Sequence, residues 1–205
     1  MPLVTRLASC RDKVRVFVDG EFWAELDAGV ATERGLSEGI ALSEEELTEA
    51  RVAGERPLAM SRALNLLGYR ARSDRELRER LMRAGYLKET VDEVIARLEE
   101  LGYLDDVEFA RELARSEARK YGPRRIYGDL RRAGIEEAAA REVVEEEFAG
   151  RSEHEAAREA AQRRYNVMEG SDAQVRRVYG FLMRRGYTAS ICAEIAREYC
   201  READQ

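Results

Sequence analysis

The stretch GPRRIYGDLRRAGI, residues 122–135, contains the pattern that decides the fold of this chain. The pattern is an apolar residue, a leucine four positions later, a short basic segment ending in glycine, and a β-branched residue nine positions beyond that glycine. Residues four apart lie on one face of a helix, and the glycine falls at the left-handed position that ends a helix. The pattern occurs three times, with Leu77, Leu81, Gly85 and Val94, then with Ile126, Leu130, Gly134 and Val143, then with Val178, Leu182, Gly186 and Ile195.

Helix start and stop signals around each copy predict three helices per unit. Pro57 and Pro123 stand at positions suited to a first helical turn, and Ser73, Asp105 and Ser152 each precede a glutamate by three residues, as in a capping box. We expect helices near residues 57–67, 73–84, 88–101, 105–120, 123–133, 137–148, 153–165, 172–185 and 189–202. The fold class is therefore mainly α, with tandem three-helix repeats over residues 57–104, 105–150 and 151–205 in an elongated array.

The first 56 residues predict a different module. Apolar and polar residues alternate over Lys13–Val18 and again from Phe22 to Leu26, and Asp19-Gly20 between them favours a two-residue turn, so we expect a β-hairpin. Residues 3–8 supply a candidate third strand. A short helix and turn is expected over residues 32–39, and a second helix from the Ser43–Glu46 capping box to Gly54. Residues 1–59 carry a net charge of −5, most of the −6 of the whole chain.

Composition indicates a soluble cytoplasmic protein. The chain has 205 residues, of which 37% are charged and 44% hydrophobic, and no apolar run is long enough to cross a membrane. Its three cysteines are an odd number, and Cys192 and Cys200 are eight residues apart on an expected helix, too far along its axis to bridge each other. We interpret all three as reduced thiols.

The central residues resemble a known family. The run GYLDD at residues 102–106, followed by Phe109-Ala110, GPRRI at 122–126 and LRRAGI at 130–135, is similar to the central signature of the RecX regulatory proteins, and residues 73–101 are similar to that family's first repeat. The resemblance covers about residues 58–200. It implies a protein that docks on the RecA–DNA filament, inhibits the ATPase, recombinase and coprotease activities of RecA, and so modulates DNA repair and the SOS response.

A basic centre stands out in this acidic chain. Residues 111–132 contain three carboxylates and eight cations, a net charge of +5. Arg111, Arg115 and Arg119 are spaced to form one stripe on a helix. The stripe could bind phosphates or the carboxylates of a partner, or it could be a solvated face paired with acids such as Glu145, Glu146 and Glu147. The candidate binding residues are Arg111, Arg115, Arg119, Lys120, Arg124, Arg125, Arg131 and Arg132.

Tyrosines beside basic residues form a second candidate feature. Tyr86 and Tyr187 follow the glycine of the repeated pattern and Tyr103 follows Gly102, so we expect these three rings to pack back on the preceding helix. The tyrosines that remain as candidates for stacking on nucleic-acid bases are Tyr69, Tyr121 and Tyr165.

Catalytic chemistry finds little support in the sequence. The one histidine, His154, has no metal-ligand spacing around it, and neither a phosphate-binding loop nor a nucleophile elbow is present. We expect no enzyme activity, cofactor, metal or membrane contact, and a monomer that binds the RecA filament, with single-stranded or duplex DNA as a further candidate partner. Two alternatives stay open, a helical nucleic-acid-binding protein and a generic repeat scaffold for another protein. The net charge of −6 argues against nucleic-acid binding as the sole function.

Overall fold

The computed structural model describes residues 1–149, 152–165 and 171–201, with side chains described as far as residue 199. These residues form three strands and ten helices, so the predicted class, mainly α with tandem three-helix repeats and a small N-terminal β module, is confirmed. The chain divides into two compact units, Met1–Asp105 and Asp106–Gln205. The elements are β1 Val4–Cys10, β2 Lys13–Val18, β3 Glu21–Asp27, α1 Ala28–Glu33, α2 Glu44–Tyr69, α3 Asp74–Arg83, α4 Lys88–Glu100, α5 Asp106–Glu117, α6 Pro123–Ala133, α7 Glu137–Ala149, α8 Glu153–Arg164, α9 Asp172–Arg185 and α10 Ala189–Arg201.

The three strands form one antiparallel sheet in the order β1-β2-β3, which confirms the hairpin and the third strand. Val16 pairs with Ala24, but the next residue, Phe17, pairs with Phe22, so Trp23 is an extra residue in β3. This bulge turns Trp23 toward the core of the module. Phe22, which the alternation places on the same face as Leu26, is instead 54% exposed.

The helices of the first module differ from prediction at two places. The helix expected over residues 32–39 begins earlier, at Ala28, because the Asp27 carboxylate accepts a hydrogen bond from the backbone N–H of Val30 (3.0 Å). The Ser43–Glu46 capping box is present, but the helix it opens does not stop at Gly54 and restart at Pro57. α2 continues to Tyr69, so the boundary expected between residues 56 and 57 falls inside it.

Gly54 has a packing role in place of the predicted helix stop. It is buried inside α2, and a Cβ atom added there would lie 2.8 Å from the Cβ of Leu26 in β3. The absence of a side chain lets α2 approach the sheet closely. The close approach of the Leu26 side chain explains a glycine that the sequence pattern assigns to a helix end.

Each repeat contains its own hydrophobic core. The cores lie within residues 59–104, 109–148 and 156–199, and all nine apolar residues of the repeated pattern are buried in them. Gly85, Gly134 and Gly186 have φ values of 93°, 96° and 84°, the left-handed conformation expected at the end of a helix. The first helix of each repeat contributes a pair of fully buried alanines four residues apart, Ala59 and Ala63, Ala110 and Ala114, and Ala157 and Ala161.

An acidic residue precedes each alanine pair by four positions, and in two repeats it caps the third helix. Glu55 is 3% exposed and accepts hydrogen bonds from the Leu87 backbone N–H (2.8 Å) and the Thr90 hydroxyl (3.0 Å) at the start of α4. Glu153 accepts from the Thr188 backbone N–H (2.6 Å) before α10. Asp106 occupies the corresponding position of the second repeat. The Glu55 and Glu153 carboxylates satisfy N–H groups at the starts of helices, and α4 has no side-chain cap from its own N-cap residue.

Three further predictions need correction, and two fall outside the described residues. α5 ends at Glu117 rather than near Lys120, and Ser152 makes no capping hydrogen bond through its side chain. Tyr103 is 58% exposed because the next residue, Leu104, fills the core instead, whereas Tyr187 is buried and Tyr86 packs on its core as expected. The boundary between residues 150 and 151 and the side chain of Cys200 lie outside the described residues.

Candidate partner-binding surface

The eight predicted cations lie on three consecutive segments of the second repeat. Arg111 and Arg115 are on α5, whereas Arg119 and Lys120 belong to the turn that follows it. The predicted helical stripe is therefore limited to its first two members. The remaining four are on α6, with Arg124 and Arg125 in its first turn and Arg131 and Arg132 in its last. Cations in a last turn also interact favourably with the helix dipole.

Four of the eight cations are bound within the repeat. The guanidinium of Arg111 lies 3.4 Å from Glu146 of α7. This pair agrees with the alternative interpretation, in which the face is solvated and its cations pair with nearby acids. Asp129 pairs with Arg125 (2.8 Å) and with Arg132. Arg131 donates a hydrogen bond to the Ile135 carbonyl (2.5 Å), beyond the end of α6. These four side chains stabilise the repeat and are only partly available to a partner.

The other four cations, Arg115, Arg119, Lys120 and Arg124, are exposed and form no ion pair within the described residues. Arg115 and Arg119 line an open groove of about 510 Å³ with the acidic side chains Glu112 and Glu147. An unpaired guanidinium offers up to five N–H donors to a phosphate or a carboxylate. These four residues form what we call the basic surface.

The first repeat differs from the second in this respect. In α3 the exposed arginines are paired along the helix, with Arg75 and Arg83 on Glu79 at 3.1 and 3.0 Å and Arg80 on Glu76 at 3.1 Å. Surface pairs of this kind contribute little to stability, but they reduce the positive field that a partner meets. The basic surface is therefore less neutralised by carboxylates than α3 is.

The third repeat holds the turn that carries Arg119 and Lys120. Arg185 of α9 donates to the Lys120 carbonyl (2.5 Å), and Arg163 of α8 donates to the Arg119 carbonyl (3.4 Å). The backbone N–H of Gly122 donates to the Arg185 carbonyl (2.8 Å). Because these bonds use backbone carbonyls of the turn, the side chains of Arg119 and Lys120 stay free. The sequence pattern does not identify Arg163 as part of this site, because Arg163 and Arg119, whose carbonyl it contacts, are 44 residues apart in the sequence.

Tyr121 is half-buried, and two guanidinium groups of the protein contact its ring. The guanidinium carbons of Arg125 and Arg185 lie 5.4 and 5.3 Å from the centre of its ring, which is the geometry of cation–π contacts. Tyr165 packs edge to face on Phe181, with ring centres 5.7 Å apart. Of the three tyrosines predicted as candidates, only Tyr69 is largely exposed, at 86%.

A second open groove on the third repeat extends the positive charge. Its volume is about 690 Å³, and it is lined by Arg176, Arg177 and Arg184 of α9 together with Tyr165 and Gly180. Arg176 and Arg184 form no ion pair within the part of the chain that the structure describes. The second and third repeats therefore both present cations around the junction that Arg185 forms.

The described residues form no comparable site for metal binding or nucleophilic chemistry. His154 lies 3.8 Å from both Glu194 and Glu198, and no group of three potential metal ligands occurs among the described residues. None of the helices described here is both long and apolar enough to cross a membrane. Burial raises the pKa of the Cys192 thiol to about 11, with the nearby Glu153 carboxylate adding to the effect, so this thiol is a poor nucleophile.

These features define the class of the protein as a tandem three-helix-repeat protein with a basic surface on its second repeat. Models of the RecX family match all three repeats: the first three-helix domain at residues 59–98, the second at 105–144 and the third at 152–195. The regulatory protein RecX of Amycolatopsis mediterranei is 33% identical over 142 residues, which are 67% of this chain and 81% of that protein. The chain belongs to the RecX family.

A longer alignment includes the N-terminal module. The regulatory protein RecX of Listeria monocytogenes serotype 4a is 24% identical over 201 residues, covering 95% of this chain and 73% of that protein. A crystal structure of a regulatory protein RecX superposes with a TM-score of 0.61 at 20% identity over 97% of this chain and all of the other. RecX from Lactobacillus salivarius gives a TM-score of 0.56 at 21% identity over 71% of this chain and 96% of that one. The folds agree.

Proposed function

We propose that this chain is a negative regulator of RecA, which binds the RecA–DNA filament and inhibits the ATPase, recombinase and coprotease activities of RecA. In this way it modulates DNA repair and the SOS response. The family supports this proposal, and the basic surface is the observation that carries it, because Arg115, Arg119, Lys120 and Arg124 have no carboxylate partner within the described residues. A filament of protein and DNA offers both carboxylates and phosphates to such a surface.

The same proposal covers the setting in which the protein acts. We expect a monomer in the cytoplasm that performs no catalytic step of its own, so every effect on RecA comes from binding. Contact with single-stranded or duplex DNA through the basic surface is compatible with this role, because an acidic chain binds phosphates best where its cations cluster. Several weak contacts along neighbouring protomers would add through effective concentration.

The direct test adds the full chain to RecA assembled on single-stranded DNA and measures ATP hydrolysis and strand exchange. We expect both to slow as the protein is added, while the protein alone hydrolyses no ATP. If both rates stay unchanged at an excess over RecA protomers, the proposed function is wrong and a scaffold for another protein becomes the better account.

A second version of the experiment distinguishes inhibition by binding to the filament from inhibition by competition with RecA for free DNA. Filaments are assembled first and excess single-stranded DNA is then added with the protein. Inhibition by binding to the filament persists under these conditions, whereas inhibition through competition for free DNA is relieved.

A further inference from the structure

The sheet of the N-terminal module has one face whose side chains lie outside the hydrophobic core of the module. Its other face, with Val14, Val16 and Leu26, forms a core with residues of α1 and α2. The open face carries Arg6 of β1, Arg15 and Phe17 of β2, and Phe22 of β3. The matches to the RecX repeat models begin at residue 59, so they assign no role to this face.

The four side chains of the open face form one contiguous cluster. The rings of Phe17 and Phe22 meet edge to face with centres 5.9 Å apart. The guanidinium carbon of Arg6 lies 4.9 Å from the centre of the Phe17 ring, and that of Arg15 lies 5.5 Å from the centre of the Phe22 ring. Phe22 is 54% exposed and Phe17 is half-buried, and exposed aromatic surface on a sheet is costly in water unless something covers it.

The charge of this face is positive although the module as a whole is acidic. Arg6 and Arg15 form no ion pair within the described residues. Four carboxylates on and around the strands have other partners, and these are Glu25 with Lys13 at 2.8 Å, Asp27 with the Val30 N–H, Asp19 with the Leu3 N–H and Glu38 with the Leu7 N–H. Asp12 and Glu21 are exposed and form no ion pair with Arg6 or Arg15. Two free guanidiniums thus stand beside two aromatic rings.

We propose that this open face binds single-stranded DNA, with Phe17 and Phe22 stacking on bases and Arg6 and Arg15 contacting the phosphates between them. An unpaired strand is the partner that presents flat rings and anions in alternation, and aromatic platforms beside cations are the common means of holding one. Duplex DNA hides its ring faces inside the stack and does not match the exposed phenyl groups. The choice of DNA over RNA rests on the proposed function, since the face alone does not select the sugar.

The test uses the full chain without RecA and measures fluorescence anisotropy of a labelled 20-residue oligo-dT. Phe22→Ala is expected to weaken binding at least about fivefold, because stacking on one aromatic side chain is lost. Phe22→Tyr keeps an aromatic ring and should bind as the native chain does. The matched control is Leu3→Ala, which removes another exposed apolar side chain of the same module and should leave binding unchanged.

A 20-residue oligonucleotide without bases separates stacking from charge. The native chain should bind it at least about fivefold more weakly than oligo-dT, and Phe22→Ala should make no further difference. Arg15→Glu should weaken binding to both. Equal binding of oligo-dT by Phe22→Ala and the native chain, or equal binding of both oligonucleotides by the native chain, overturns the proposal, and tighter binding of oligo-rU overturns the choice of DNA. Since RecA is absent, these outcomes are independent of the ATPase test.

Discussion

Gly122 and Gly186 lie backbone against backbone at the junction of the second and third repeats. A Cβ atom on Gly122 would be 2.7 Å from the Gly186 carbonyl oxygen, and one on Gly186 would be 2.4 Å from the backbone nitrogen of Arg125. The Gly186 carbonyl also accepts a hydrogen bond from the Arg124 N–H (3.2 Å). The repeat pattern explains Gly186 as a helix end, but the contact shows a second role, which is to hold the turn that presents the basic surface.

Substitution of Gly122 by alanine should therefore destabilise the second unit. The added methyl group meets backbone that cannot move aside, so we expect the free energy of unfolding to fall by about 1–3 kcal/mol. Gly186→Ala should cost more, because crowding adds to an unfavourable positive φ. Urea unfolding followed by circular dichroism measures both.

Gly128 and Gly85 provide the matched controls. Gly128 lies inside α6 with no atom within 4 Å of an added Cβ, so Gly128→Ala should be neutral or stabilising by up to about 1 kcal/mol. Gly85 has a positive φ but equally open space, so its alanine variant should show the cost of the conformation without that of crowding. A Gly186→Ala variant no less stable than Gly85→Ala would contradict the close contact.

Glu55 is the second position at which one side chain supports the arrangement of a repeat. Glu55→Ala leaves the Leu87 N–H and the Thr90 hydroxyl without their acceptor inside the protein, and we expect a loss of about 2–4 kcal/mol in the free energy of unfolding. Glu55→Gln keeps one acceptor oxygen and should lose less. Glu49, exposed on the same helix, is the control, and its alanine variant should stay within about 0.5 kcal/mol of the native chain. Equal stability of the Glu49 and Glu55 variants would mean that the cap contributes nothing.

The stability of the first unit should depend on pH through Glu76. Partial burial alone would raise the pKa of this carboxyl, but hydrogen bonds from Arg70 and Arg80 and the charges of Arg70 and Arg72 lower it below 4.5. A lowered pKa in the folded state means that the contribution is present above about pH 4.5 and is lost as the pH falls below that value. Urea unfolding of the native chain and Glu76→Gln should therefore differ at pH 7 and converge toward pH 3. A difference that is constant over this range would contradict the ion-pair network.

Much of the fold could be predicted because its signals are local. The cap at Ser73, the glycine stops at Gly85, Gly134 and Gly186 and the spacing of Leu77, Leu81 and their counterparts act within a few residues, and the structure places them as expected. The acidic residue four positions before each alanine pair is also present in the sequence, at Glu55, Asp106 and Glu153, but the repeated pattern of apolar residues and glycine does not point to it. It becomes recognisable once the partner of the carboxylate is known.

The predictions that were wrong concern positions whose structure depends on residues far away in the sequence. The helix end predicted at Gly54 is wrong because the glycine is explained by its contact with Leu26, which belongs to a strand on which α2 packs. The exposure of Phe22 depends on a bulge, which a strict alternation of two cannot indicate. In the basic centre, sequence gives the charge but not the pairing, and only the structure separates Arg125 and Arg132, held by Asp129, from the unpaired Arg115 and Arg124.

The most direct measurement of the central claim is the affinity of the full chain for RecA filaments on single-stranded DNA, compared between two triple variants of equal charge change. Arg115, Arg119 and Arg124 are reversed to glutamate in the first variant, and Arg75, Arg83 and Arg97, all exposed in the first repeat, in the second. Because exposed charges contribute little to folding, both should keep the native circular dichroism. We predict tight binding by the native chain, a loss of about tenfold or more in the first variant and little change in the second. A native chain that does not bind the filament, or two variants that bind it equally well, would contradict the account.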